Sequence, residues 1–181
     1  MKKLIAIAVL ALCSAAFADI KVGTVDMMKL VRSHKSYDSN KKLLQETEKD
    51  YQKDLDRMRA EIDALQEEGK KISEQAKNPM LAQGAKDKAE KDLLDIQNRF
   101  IAAQQKLRAE AMKSQEKLQD LETRLLKLAT DDIRETIAAF AEKDGYDIIV
   151  ESTVTAFAKK SLNVTDDILK AMKEKEKNEG K

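Results

Sequence analysis

The sequence predicts an α+β protein that is mostly α: a long antiparallel helical hairpin, a coiled-coil arm, standing on a small β base. Three observations carry this expectation. Two heptad seams of apolar residues are separated by the helix-stopping pair Asn78-Pro79, and short β-rich runs are confined to the two ends of the chain. Composition agrees with an extended shape. Of the 181 residues 37% are charged, and three Tyr, four Phe and no Trp are too few aromatics for a large compact core. Disorder would be as polar, but it would carry no sustained apolar period.

The first 18 residues read as a signal peptide. Met1-Lys2-Lys3 is a positive start, Leu4 to Leu12 is an unbroken apolar run, and Ala16-Phe17-Ala18 fits the small-x-small cleavage pattern before Asp19. The run is too short to span a bilayer. A lipoprotein signal would need a small residue just before Cys13, where this chain has Leu12. Cleavage after Ala18 removes Cys13, the single cysteine, and leaves neither a disulfide framework nor thiol chemistry. It also removes Lys2 and Lys3 from the 34 basic residues, leaving 32 against 33 acidic ones. A nearly neutral, densely charged chain gives no argument for binding nucleic acid.

Residues 19–37 form the first part of the base. Ile20-Lys21-Val22-Gly23-Thr24-Val25 alternates as a strand, and Asp26 or Ser33 can start a short helix after it. The arm covers residues 38–130. Its first seam is Tyr51, Leu55, Met58, Ile62, Leu65, Gly69 and Ile72, at alternating steps of four and three, with mixed charges between. A helix from Lys41 to Ala76 would extend roughly 54 Å. The tip lies near 77–85, where Asn78-Pro79 stops the helix and Gly84 adds a flexible point. The return seam is Leu93, Ile96, Phe100, Ala103 and Leu107, weakens at Ala111 and Ser114, then resumes at Leu118, Leu121, Leu125 and Leu128. The helix is expected to end near Asp144-Gly145, after Ile133, Ile137 and Phe140.

Residues 131–172 complete the base. Tyr146-Asp147-Ile148-Ile149-Val150-Glu151 and Val154-Thr155-Ala156-Phe157-Ala158-Lys159 read as two strands of a hairpin turned at Ser152-Thr153. Thr165 is expected to cap a helix whose first turn holds Asp166 and Asp167, and this explains Asn163-Val164-Thr165 better than a glycosylation acceptor does. Residues 173–181 read as a fraying charged tail. Three short strands make a poor domain alone and leave open edges, so association between copies through the base is expected.

Chemistry is sought and not found. His34, the one histidine, sits in Arg32-Ser33-His34-Lys35-Ser36 and reads as an exposed loop residue, with a Ser-His-Asp triad the minor alternative. Zinc sites of the His/Cys type lack ligands. Glycines 23, 69, 84, 145 and 180 have no phosphate-cradle spacing, and Asp131-Asp132 and Asp166-Asp167 lack a calcium-loop pattern. The expectation is no catalysis, no metal and no cofactor.

Three segments carry a resemblance. Ile20 to Leu30, with Val25-Asp26-Met27-Met28-Lys29, resembles the opening strand and turn of the Skp/OmpH-like proteins. Phe140 to Val150 is similar to that family's Lys-Gly-Tyr-Asp segment, and Asn163 to Met172 to its ending, with Asn163 in place of the usual acid. The resemblance covers residues 20 to 172, and the near-neutral charge departs from the family's basic character. It implies a periplasmic homotrimer whose small β base forms a shared trimeric barrel, with three arms around a cavity that holds unfolded outer-membrane β-barrel proteins without ATP. Peripheral contact with membrane or lipopolysaccharide is a further implication. Off-seam Met80, Leu81, Ile101 and Met112 are the candidate client contacts, although Met80 and Leu81 could equally close the tip. Val22, Val25, Ile148, Val150, Ala156 and Phe157 are the candidate barrel and subunit contacts. The rival reading is a periplasmic structural coiled-coil adaptor with a fixed folded partner.

Overall fold

A computed structural model describes residues 20–179; the expected signal peptide and Cys13 lie outside them. The order is strand β1 (Val22–Val25), helices α1 (Met27–Ser33), α2 (Tyr37–Ala76) and α3 (Gln83–Asp144), strand β2 (Ile148–Glu151), 3-10 turns at Ser152–Val154 and Lys160–Leu162, and helix α4 (Thr165–Glu179). The molecule is mostly helical, with one small sheet. It divides into two compact units: Asp38–Leu126, and the described residues before and after that stretch.

The second unit contains the sheet. β1 and β2 pair in parallel, with Val22 opposite Ile148 and Val25 opposite Glu151. Parallel strands cannot be joined by a tight turn, and here the whole of α1, α2 and α3 makes the crossover. The other edge of β1 is also taken: Thr24 bridges Asn163, and the Val164 N–H donates to the Thr24 carbonyl at 2.9 Å. β1 is therefore held from both sides. Beneath it Val25, Leu30, Ile133, Val164, Ile168 and Met172 form a buried cluster, with Met27, Ile137, Phe140 and Tyr146 among the half-buried residues around it. Leu30, Ile133 and Ile168 are fully enclosed, and each such side chain contributes about 1.5–3 kcal/mol by leaving water.

The third expected strand, Val154 to Lys159, is absent. Ser152–Val154 turns as a 3-10 helix, and Thr155 donates both its N–H (3.3 Å) and its hydroxyl (2.9 Å) to the Ser152 carbonyl. This local closure bends the chain away from a hairpin. Ala156 and Phe157 thus lie in an irregular exposed segment. The expected tail also differs: α4 continues to Glu179.

The helix ends follow local chemistry. Asp26 caps α1, its carboxylate accepting from the Lys29 N–H at 2.9 Å; Ser33, the other proposed start, is the last residue of α1. α3 stops at Asp144, where Gly145 takes φ +68° and the Tyr146 N–H reaches back to the Ala141 carbonyl at 2.9 Å, a Schellman closure that favours glycine. Thr165 does not cap α4. It is the first helical residue, its N–H donates to Asn163 Oδ1 at 2.9 Å, and its hydroxyl accepts the Asp26 N–H at 3.0 Å.

In the other unit, the first seam is buried or half-buried throughout, with Ile62 and Leu65 the deepest on α2, and Ile96 and Ser114 of the return seam are buried on α3. A Cβ on Gly69 would sit 3.4 Å from Ile96, and Met58 and Leu65 share a groove with Arg99, Ala102 and Lys106. The charges between seam positions pair along the helix surface, as Asp50 with Lys53 and Asp54 with Arg57, and such exposed pairs add little. Asn78 accepts the Met80 N–H at 3.0 Å and so forms the turn around Pro79, while Gly84 lies inside α3. Leu128 departs from its expected seam position and is exposed, with Ala129 buried instead. A straight helix drifts from a strict seven-residue repeat, and Ala129 leads to Ile133 in the base core.

Gly23 gives the most direct test of this packing. A Cβ there would lie 3.2 Å from the Tyr146 ring and 3.3 Å from Val164 Cγ2. Gly23→Ala is expected to lower stability by about 1–3 kcal/mol through overpacking, read as a shifted urea midpoint with an unchanged slope.

Candidate functional site

The three segments that carry the sequence signature meet in the base. Lys21 on the approach to β1 donates its N–H to Asp147 Oδ2 at 2.7 Å and its Nζ to the Asp144 carbonyl at 2.6 Å, with the ammonium 4.0 Å from the centre of the Tyr146 ring. Tyr146 stacks in turn on Phe140, centroids 5.7 Å apart. At the other end of β1, Lys29 pairs with Asp166 at 2.7 Å. Asp26, Gly145, Tyr146, Asp147 and Thr165 therefore hold backbone and register. Their positions explain the motifs as architecture rather than as reactive groups.

His34 is not the exposed loop residue expected of it. It is 8% exposed, with Nε2 2.8 Å from Asp132 Oδ2 and Nδ1 2.8 Å from Ser36 Oγ. Because Nδ1 also accepts the Ser36 N–H at 3.3 Å, the ring proton is on Nε2 and is donated to the carboxylate. A serine, a histidine and an aspartate are thus brought together, but the carboxylate is shared: Lys175 on α4 donates to Asp132 Oδ1 and to Glu135 Oε2, both at 2.8 Å. The arrangement ties the α1–α2 junction and α4 to α3, and reads as a strut. Nothing in the sequence could have paired His34 with a residue 98 positions away. Asp132 is held below the usual carboxylate range, first by Lys175 and then by His34, and the same contacts with Asp132 and Glu135 push Lys175 above the usual lysine range.

Large apolar side chains are exposed in both units. In the base these are Ile20, Met28, Leu128, Ile148, Val154 and Phe157, of which Phe157 is 84% exposed. Of the residues expected to make subunit contacts, Ile148, Ala156 and Phe157 are exposed and Val22 and Val150 are half-buried, while Val25 belongs to the core of its own chain. In the other unit Met80 is 91% exposed at the turn and Leu81 is half-buried; Ile101 and Met112 are exposed on α3. Leu94 and Leu126 are exposed as well. Sequence reading passed over both because each adjoins a seam leucine, Leu93 and Leu125, and only the phase of the helix separates the pair.

Among the described residues no helix is long and apolar enough to cross a membrane, and no group of three or more His, Cys, Asp or Glu is placed to hold a metal ion. Compared with known families, residues 21–172 match the family described as outer membrane protein (OmpH-like). No curated protein matches the chain.

The strut makes a pH-dependent prediction. A carboxylate whose pKa is lowered by folding adds stability above its unfolded value of about 3.9 and loses it as pH falls through the folded value. Asp132→Ala strands the buried His34 and is expected to cost about 1–3 kcal/mol at pH 7. The difference from wild type should narrow below about pH 4. Urea unfolding in a pH series from 7 down to about 2 checks both; a difference that stays equal across the whole series would contradict the ionic part.

Proposed function

The chain belongs to the OmpH-like outer membrane protein family, and on that premise we propose that it is an ATP-independent periplasmic holdase that keeps unfolded outer-membrane β-barrel proteins from aggregating. The observation that carries the reading is the placement of exposed apolar side chains at two separate stations on an otherwise charged surface. One station serves assembly and the other serves clients.

At the first, exposed Ile148 lies opposite half-buried Val22, Val150 is half-buried on the same strand as Ile148, Phe157 is exposed farther along the chain, and β2 pairs on one side only within its two-stranded sheet. Apolar residues along an open strand edge are the features that copies of a chain use to pair. Three copies associate through this base into a shared barrel. At the second, α2 and α3 form an antiparallel hairpin arm, a reading supported by the pairing of Gly69 with Ile96 and of Leu65 and Met58 with Arg99 to Lys106. The arms enclose the client cavity, and Met80, Leu81, Ile101 and Met112 are client contacts. Apolar contacts worth about 1.5–3 kcal/mol when fully buried, and less when partly so, add up over three arms yet stay individually reversible. A holdase needs that combination, because it must release its cargo without nucleotide.

Diluting a urea-unfolded outer-membrane β-barrel protein into buffer with the protein present is expected to suppress light scattering in the absence of nucleotide. Unsuppressed scattering across a wide excess would favour the structural adaptor instead. Ile148→Asp, which places a charge in the proposed subunit contact, is expected to leave a monomer by native mass spectrometry, since a buried unpaired charge costs several kcal/mol.

A further inference from the structure

The exposed apolar residues of α3 are not scattered. At about 100° per residue, Leu94, Ile101, Met112 and Leu126 fall within about 40° of one line. The full surface row steps through 94, 98, 101, 105, 108, 112, 116, 119, 123 and 126, and every position is exposed. Only Arg108 and Glu116 in it are charged. The others are the four apolar residues with Asn98, Gln105, Gln119 and Thr123. The row on the opposite flank of the same seam, 92, 95, 99, 102, 106, 110, 113, 117, 120 and 124, is charged at every position except Ala102. On α2 the row on the corresponding flank of its seam, 52, 56, 59, 63, 66 and 70, is charged everywhere except Gln52 and Gln66. One flank of one helix carries only two charges in ten positions.

We infer that this sparsely charged row of α3, with Leu94, Ile101, Met112 and Leu126 as its apolar points, is the surface that grips clients, and that α2 takes no comparable part. The inference rests on the holdase reading and narrows it to one helix face. The occupant is an unfolded polypeptide rather than a second helix. A permanent helical partner requires apolar residues at nearly every seam position, whereas this row has four in ten, separated by about 10, 16 and 21 Å along the axis. Between them the carboxamides of Asn98, Gln105 and Gln119 each carry donors and acceptors. An extended chain presents that chemistry: occasional apolar side chains and a backbone whose N–H and C=O groups lack partners. The single methionine in the row suits varied side chains. With one charge of each sign, Arg108 and Glu116, the row also discriminates little between acidic and basic segments.

The test uses full-length variants and a urea-unfolded outer-membrane β-barrel protein as probe. The double variant Ile101→Gln with Met112→Gln is compared with Leu43→Gln with Leu128→Gln, two exposed apolar residues off the row. Circular dichroism and native mass verify that folding and assembly survive. The row variant is expected to weaken client binding about tenfold or more, and the control by less than about twofold. A photo-reactive residue in place of Gln105 should crosslink to client, and one in place of Glu61 should not. Equal losses in both double variants, or crosslinking from position 61 alone, would overturn the assignment while leaving the holdase reading intact. Loss of native mass in the row variant would make the row a contact between copies and overturn it too. Wild-type protein that binds no client would overturn both.

Discussion

The pairing of β1 with β2 is the constraint on which the rest depends. Val22 and Ile148 are opposite one another although 126 residues separate them. A parallel pair cannot be closed by a short turn, so the intervening chain must leave the base and come back. Closing so long a loop costs only slightly more than closing a shorter one, which permits helices of 40 and 62 residues in the excursion. What must be specified is the closure itself. Gly23 lets Tyr146 and Val164 approach β1, Lys21 ties the strand to the end of α3, and Asp26 and Thr165 join the starts of α1 and α4. The signature residues cluster here because register is decided here.

Charge has a separate task in each unit. Along α2 the short-range pairs keep the helix wet and add little stability. In the base the few charges that matter converge from distant parts of the chain: Lys175 and His34 on Asp132, Lys29 on Asp166. At the strut on Asp132 a buried ring depends on a carboxylate. α3 contributes to both units, with Asp132 and Ile133 in one and the sparsely charged row in the other.

Local and periodic features were legible in the sequence. The two seams, the stop at Asn78-Pro79, the Asp26 cap and the end of α3 at Gly145 each follow from a few neighbouring residues, and the structure has them. The errors came from one local closure and from competition between distant parts. Val154 to Lys159 has strand-like composition, but Ser152 and Thr155 close a 3-10 turn that breaks the hairpin. His34 lies in a polar run, yet its partner comes from α3, and Thr165 gives its hydroxyl to Asp26 rather than to its own helix. Leu128 and Ala129 exchanged roles through helical phase over several turns. Ile101 and Met112 could be picked out as off-seam residues, but their alignment with Leu94 and Leu126 needed the phase of one unbroken α3.

The central claim is that copies of this chain close around an unfolded client through their bases while their arms hold it. Native mass spectrometry of the protein mixed with an unfolded outer-membrane β-barrel protein, without nucleotide, tests it most directly. The account predicts a complex of three copies with one client. A client found only in aggregates, beside a chain that remains monomeric at every concentration, would contradict it.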